Sequence, residues 1–532
     1  MRPRWVLFGG RPGSYSTLSG RGGNALATCA RCPESIGTAR PWEWTRPGPE
    51  RKLGLMVGAG TRAVRCGNTR TTGGPVWPRA GRRLIALACA VSWAAAASVP
   101  ARDAGGDPSR PNFIFILADD LGYGDLGCYG QRLIRTPCLD RMAREGTRFT
   151  HCYAGSPVCA PSRNALMTGQ HTGHARVRDN SAQVGGVVEE YGGRQRRVPL
   201  ADEDVTIAEV LKASGYVTGV TGKWGLGEPD TPGVPNRQGF DEWFGYLNQN
   251  HAADYYTTYL WKNETRHELP GNHDGRKTQY THDLFTEFAL DFIRRHRARP
   301  FFLYLAYTIP HDRLEVPDLG DYAAKPWPAE AKIYAAMISR LDRDVGRILD
   351  LLEELGLSGR TLVFLSSDNG APARPWGNLF GSLAGFRGKK GELYEGGIRV
   401  PMLVRWPGRV PARRVNDAPW YFPDVLPTLA TLAGVTAPPC DGLDISPLLL
   451  GRVKHLPDRF LYWEFPKRGL NQAVRWGRWK AVRPAGRQTF ELFDLKRDPA
   501  ERNNLAAEHP DVLARIEAYA KTARVPSPHW PD

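Results

Sequence analysis

The sequence predicts an α/β fold: a large, mostly parallel sheet flanked by helices, followed by a small C-terminal α+β lobe containing an antiparallel sheet. Two observations point to the large sheet. Near-continuous apolar runs recur at 112–117 (NFIFIL), 301–305 (FFLYL) and 361–365 (TLVFL), as expected of strands covered on both faces. Helical patterns lie between them, and strands alternating with helices favour a parallel sheet. A third observation separates the lobe: after about Pro438 the runs become short, with Trp and Arg alternating.

In chain order, the first strand runs into Asp119-Asp120. Thr206 caps a helix whose Ile207, Val210 and Leu211 share a face. The 301–305 strand continues through AYTIP to His311. A long helix follows at 332–355, with Ile333, Met337, Leu341, Val345, Ile348 and Leu352 on one stripe and Gly356 as its stop. The 361–365 strand ends in Ser-Ser and then Asp368-Asn369. Residues 460–465, 472–482 and 489–495 read as antiparallel strands, closed by a helix around 510–523.

With 532 residues, 41% hydrophobic, the chain is long and apolar enough for a large domain with an accessory lobe, and disorder is excluded. The formal charge of +16 is concentrated at one end. Residues 1–100 carry 15 basic and 3 acidic side chains, leaving a net of only +4 elsewhere. A nucleic-acid partner is therefore not expected. Arg79, Arg82 and Arg83, the apolar run 84–97 and the small residues at 95–97 read as a secretory signal spanning about 79–101. That run is too short for a membrane span, which needs roughly 20 residues. The expected product is exported, periplasmic or secreted, without a stable membrane span. The Gly/Arg/Pro-rich segment before the signal suggests an internal start, near Val76. The predicted division is 1–101 extension and signal, 110–437 catalytic domain, and 438–532 C-terminal subdomain. Beyond residue 100 only Cys128, Cys138, Cys152, Cys159 and Cys440 remain, too sparse for a disulfide framework.

Open α/β sheets bind ligands beyond the carboxyl ends of their strands. Asp119, Asp120, Asp368 and Asn369 would meet there as an all-oxygen set, suited to a hard divalent cation such as Ca²⁺ or Mg²⁺. Cys159-Ala-Pro-Ser-Arg163, continued by Leu166-Met-Thr-Gly169, adds a nucleophile motif. Further motifs are Ala118-Asp-Asp-Leu-Gly-Tyr-Gly-Asp125, Gly222-Lys-Trp-Gly225, Ser367-Asp-Asn-Gly370 and the 388–397 segment GKKGELYEGG. From about Asn112 to the C-terminus, the chain resembles the sulfatase family, formylglycine-dependent members of the alkaline phosphatase superfamily.

The resemblance implies sulfate ester hydrolysis, by an arylsulfatase or a carbohydrate sulfatase. It implies that a maturation enzyme converts Cys159 to formylglycine (3-oxoalanine) before folding. The hydrate of that aldehyde attacks sulfur, and one Ca²⁺ is held by Asp119, Asp120, residue 159, Asp368 and Asn369. Arg163, Lys223 and Lys390 would stabilise the sulfate, with His311 protonating the leaving oxygen. Lys389 is expected to be a surface cation. Many family members place a histidine where this chain has Gly225. The base for the second hydroxyl is then open among His171, His174 and His251, with His251 preferred as a substrate-side residue. The Tyr/His-rich segment 248–282, with Tyr255-Tyr256 and Trp261, offers aromatic faces for a sugar rim. A sulfated small molecule or carbohydrate is the expected substrate. The rival readings are a phosphonate or phosphate monoester hydrolase of the same superfamily and a non-catalytic sulfated-glycan binding protein.

Overall fold

A computed structural model describes residues 110–531. The signal at 79–101, the extension before it, and Cys29, Cys32, Cys66 and Cys89 lie outside the described residues.

The first half contributes β1 (Asn112–Ala118), β2 (Thr147–Tyr153), β3 (Val187–Val188), β4 (Arg196–Arg197), β5 (Val217–Lys223), β6 (Glu242–Tyr246), β7 (Tyr259–Lys262), β8 (Thr265–Glu268) and β9 (Phe301–Ala306). Then come β10 (Thr361–Ser367), β11 (Arg399–Arg405), β12 (Arg414–Asn416) and β13 (Trp420–Tyr421). The lobe adds β14 (Phe460–Phe465), β15 (Asn471–Trp476), β16 (Trp479–Arg483) and β17 (Glu491–Asp494). One large sheet is ordered β12-β2-β11-β10-β1-β9-β5-β6-β7-β8, with β13 beside β2. Its centre, β10-β1-β9-β5-β6, is parallel throughout. β11 runs antiparallel to its neighbours.

Every residue of β1, β9 and β10 is buried, which is why these strands read as unbroken apolar runs. Alternate side chains serve opposite faces. Ile114, Ile116, Leu303, Leu305, Val363 and Leu365 pack under the long helix Ala329–Glu354, through its Met337, Leu341, Val345, Ile348 and Leu352. Phe113, Phe115, Phe302, Tyr304, Leu362 and Phe364 face the other way, onto Leu166, Ile207, Leu211, Leu426 and Leu429 of shorter helices. The result is a three-layer α/β/α core. Thr206 caps the helix Ile207–Ala213 with a reciprocal bond to Glu209, as its sequence predicts.

Parallel register brings the strand ends level. Ala118 lies opposite Ser367, Leu117 opposite Ala306, and Gly222 also opposite Ala306. The residues that follow, at 119–120, 368–369, 307–311 and 223, therefore emerge along one edge.

The lobe is a separate antiparallel sheet, β14-β15-β16-β17, with the helix Pro510–Thr522 packed on it through Ile516 and Ala520. The run 472–482 is not one strand but a hairpin. Trp476 pairs with Trp479 across Gly477 (φ +56°) and Arg478. A two-residue turn preserves the alternation on both sides, so the pattern alone hides it. The five cysteines of the described region are all free. No helix among the described residues is long and apolar enough to cross a membrane.

Candidate active site

Cys159 is the first residue of the helix Cys159–Thr168, entered from extended Val158, and all ten helix residues are buried. Its thiol donates to Asp119 Oδ1 at 3.3 Å. Asn180 Oδ1 accepts from the amide of Ala160 at 2.9 Å and holds the helix start. Burial, reinforced by the charge of Asp119, pushes the thiol up to about 12. An encoded cysteine here is neutral at physiological pH and a poor nucleophile.

The oxygen donors meet around it. Asp119, Asp120, Cys159 and His311 have ligand atoms within 4.8 Å of one another. Asp368 Oδ1 accepts from the amide of Asp120 at 3.2 Å, and Asn369 Nδ2 donates to Asp120 Oδ1 at 2.7 Å. Asp120 is held at φ +66°, a conformation that suits Asp better than most side chains. The opposite end of the Asn369 amide, Oδ1, is buried with no hydrogen-bond partner. Three buried carboxylates beside an orphaned carbonyl oxygen fit a hard divalent cation.

Three cations balance these acids. Lys223 Nζ donates to Asp119 Oδ2 at 2.6 Å. Arg163 donates to Asp368 Oδ2 through Nη2 (2.8 Å) and Nε (3.1 Å), and through Nη1 to the Lys223 carbonyl (2.6 Å). Lys390 Nζ sits 2.7 Å from Asp120 Oδ1 and 2.8 Å from Oδ2. Burial raises the acidic pKa values, but the cations overcome it for two of the three. Lys223, His311 and Arg163 hold Asp119 well below the usual carboxylate range, and Lys390 and His311 hold Asp120 down. Asp368 is different: burial and the charge of Asp119 push it to about 7.

His311 donates through Nδ1 to the Asp312 carbonyl at 2.7 Å, leaving Nε2 3.7 Å from Asp120 Oδ2. Burial lowers its pKa, against the pull of Asp119 and Asp120. The hydroxyl of Tyr255 donates to the carbonyls of Thr308 and His311, at 3.0 and 2.9 Å. Arg374 donates to the Pro310 carbonyl at 3.1 Å and to the Asp312 carboxylate.

Other predicted residues lie elsewhere. His251 is not brought to this cluster. It is buried against Tyr191, Tyr246 and Tyr259, with Nε2 2.7 Å from Thr257 Oγ1, and burial with Arg266 drops it to about 3. His171 and His174 follow the nucleophile helix rather than lying on it. They stack on each other, and Asp441 sits 2.8 Å from His174 Nδ1. Tyr255 is fully buried and is no rim residue; Tyr256 instead lines a cavity of about 170 Å³ with Asn272, Arg276, Lys277, Arg313 and Glu315. Trp261 is half-buried and bonds to Glu190. Lys389 is exposed, as expected. Sequence reasoning missed Tyr255 and Arg374 as supports of the His311 loop. No local pattern marks them, since their partners are backbone carbonyls up to 64 residues away.

The family profile described as Sulfatase matches residues 111–435. A second, described as N-sulphoglucosamine sulphohydrolase, C-terminal, matches 385–521, so the segment around Lys390 belongs to both. N-acetylgalactosamine-6-sulfatase of Canis lupus familiaris is 34% identical, over 83% of this chain and 89% of that protein. Steryl-sulfatase of Mus musculus is also 34% identical, over 81% of this chain and 84% of its own length. Among solved structures, Ps i-CgsB in complex with k-i-k-neocarrahexaose superposes with a TM-score of 0.67 at 30% identity, covering 78% of this chain and 93% of that one.

Proposed function

The chain belongs to the sulfatase family and is a sulfuric ester hydrolase, and from that premise we propose that it works through a formylglycine made from Cys159, with one bound Ca²⁺, on a sulfated carbohydrate. The observation that carries the proposal is Cys159 itself, buried at a helix start between Asp119 and three cations, where its thiol is inert. The hydrated aldehyde supplies the hydroxyl nucleophile that the thiol cannot. Asp119, Asp120, Asp368 and Asn369, with residue 159, would hold the cation, which supplies positive charge against the sulfate oxygens. Cys159, Ser162 and Arg163 are buried at 1% exposure or less. That supports maturation on the unfolded chain, by a formylglycine-generating enzyme.

The protein's own groups then have definite tasks. Lys223, Lys390 and Arg163 are fixed before the ester arrives, so they stabilise the sulfate charge without rearrangement. His311 has Nδ1 committed to the Asp312 carbonyl. Its proton for the leaving oxygen must therefore come from Nε2, and its lowered pKa makes the protonated ring a stronger acid.

For the substrate, the cavity beside the His311 loop is lined by Arg276, Lys277, Arg313, Asp254, Asn272 and Glu315. Such walls suit the hydroxyls and charges of a sugar and would leave a sterol poorly covered. This agrees with similarity to N-acetylgalactosamine-6-sulfatase and to a structure with a bound carbohydrate. The test is parallel turnover of a 6-sulfated N-acetylgalactosamine, a steroid sulfate, an aryl sulfate and an aryl phosphonate. The highest kcat/KM is expected on the sulfated sugar. Preference for the steroid ester would overturn the substrate class, and faster turnover of the phosphonate would overturn sulfate as the group transferred.

A further inference from the structure

A second set of cations gathers away from the reaction centre. A groove of about 370 Å³ is lined by Arg144, Arg148, Arg413 and Arg414, with Asp140 as its one acid. The arginines come from the end of the helix Pro137–Glu145, the start of β2 and the turn into β12. Pairing of β12 with β2 sets Arg414 opposite Thr147 and Val415 opposite Arg148, and the amide of Arg413 donates to the Arg144 carbonyl at 3.0 Å. Because β11 is antiparallel to both β2 and β10, β2 points the same way as the central strands. Arg148, its second residue, therefore lies toward the opposite end of the sheet from the site. Roughly 17 Å of strand separates it from Tyr153, beyond which the chain continues to Cys159.

Clustered like charges repel and cost stability unless a counter-charge meets them. Among the described residues, none of the four guanidinium groups pairs with a carboxylate. The nearby acids are engaged elsewhere: Glu145 with Arg405 at 2.6 Å, and Asp140 with the amide of Cys128 at 2.7 Å. Arg414 Nη2 donates only to the Val453 carbonyl, at 3.3 Å. Arg148 lies over the ring of Tyr129, 5.0 Å from its centroid, and the Tyr129 hydroxyl is bonded to the backbone of Phe149 and Met402. That guanidinium is held at the groove by a fixed ring. Arg413 sits at φ +56°, a costly conformation for a residue with a side chain, and strain of this kind clusters at binding sites.

We propose that this groove is a second, non-catalytic binding site for the sulfate groups of a sulfated glycan chain. Guanidinium forks match sulfate oxygens in geometry as well as in charge. The rest of the wall, Cys128, Ala143 and Val415, offers no aromatic face. Nucleic-acid bases therefore have nothing to stack on, whereas a chain that carries its charge as sulfate needs only the cations. The identity of the chain rests on the carbohydrate reading above. The site itself does not depend on the state of residue 159, and it would keep a polymeric substrate with the enzyme between turnovers.

The test measures binding of fluorescent dextran sulfate, and turnover of an aryl sulfate, by the full-length protein and by its Arg144→Gln/Arg413→Asn variant. Both side chains are exposed, and asparagine tolerates the backbone of residue 413. With melting temperature unchanged, the variant should bind dextran sulfate about tenfold or more weakly and keep wild-type kcat/KM on the aryl sulfate. Hydrogen exchange at 141–148 and 412–416 should slow when dextran sulfate is added to the wild-type protein, and not when it is added to the variant. Unchanged affinity with no such protection would overturn the proposal. Tighter binding of single-stranded RNA than of dextran sulfate through the same arginines would overturn the glycan as ligand. Inorganic sulfate held as tightly as the polymer would make this a site for a free anion, which also overturns it. Should the double variant fail to fold, Arg413→Asn alone decides: weaker binding supports the site and unchanged affinity overturns it. Preference for the steroid ester in the turnover test above would remove the carbohydrate substrate while the groove's affinity stood, so the two failures are distinguishable.

Discussion

At the scale of single residues, the centre is a set of charges whose protons are already distributed. Asp119 and Asp120 stay ionised because Lys223 and Lys390 sit on them, and Asp368 takes the proton they do not. A carboxylate raised to about 7 is protonated below that pH, and a cation must displace that proton to use the oxygen. Ca²⁺ affinity is therefore expected to fall as pH drops below 7, with proton release on binding that fades above it. Calorimetric titration in buffers of different ionisation enthalpy reads both; pH-independent affinity without proton release would contradict the assignment. His311 gives a second residue-scale expectation. His311→Ala should slow sulfate esters of poorly leaving alcohols by about 10²–10⁴-fold, while activated aryl sulfates, which leave without a proton, lose far less. A uniform loss across leaving groups would remove His311 from the leaving oxygen. The acids and cations that meet here were legible because each belongs to a short motif, several of them at or just beyond the end of a strand. The place of His251 was not, because a residue of a loop segment cannot be assigned to a face without the fold. His251 turned into an aromatic box.

At the scale of elements, the small lobe buttresses the loop that carries Lys390. Lys480 on β16 is fully buried, with Nζ 2.9 Å from both Glu395 Oε1 and Glu501 Oε1. Glu501 Oε2 also accepts from the amide of Glu395 at 2.6 Å. Glu395 begins the short helix Glu395–Ile398, just after the turn in which the Lys390 amide bonds to Ala371 and that of Gly391 to Pro157. Burial raises both acids, but Lys480 and Arg399 bring Glu395 to about 2, while Glu501 remains near 7. Lys480→Met would remove the ammonium that the two buried acids share, leaving Glu395 to Arg399. A stability loss of about 3–5 kcal/mol is expected from breaking such a group. A fall in kcat should accompany it as the Lys390 turn loosens. Denaturant unfolding and kinetics on the purified variant measure both, and an unchanged unfolding midpoint would show the network to be dispensable. Element boundaries followed local chemistry where a signal existed, as at Thr206 with its Glu209 partner. The β15–β16 hairpin escaped notice because its only break in alternation is Gly477-Arg478.

At the scale of the whole molecule, the parallel register does the assembling. β1, β9, β10 and β5 end level, and the metal-type donors, His311 and Lys223 lie at or just beyond those ends. The sheet was readable from its apolar runs, because strands buried on both faces leave no polar alternation. The antiparallel insertion of β11 between β10 and β2 was not, since strand order depends on pairings between distant segments. A chain beginning at Asp103 is expected to fold and keep full activity, because every group assigned to the site lies between Asp119 and Lys390. Insolubility of that shortened chain, beside a soluble and active full-length protein, would place part of the working domain earlier in the sequence. The central claim is that Cys159 is the precursor of the nucleophile. It is tested most directly by mass spectrometry of the tryptic peptide 149–163 from active protein. That peptide contains Cys152 as an internal thiol for comparison. The account predicts an aldehyde or its hydrate at residue 159 and an intact thiol at residue 152, with specific activity proportional to the aldehyde fraction. Fully active protein carrying only a thiol at residue 159 would contradict it.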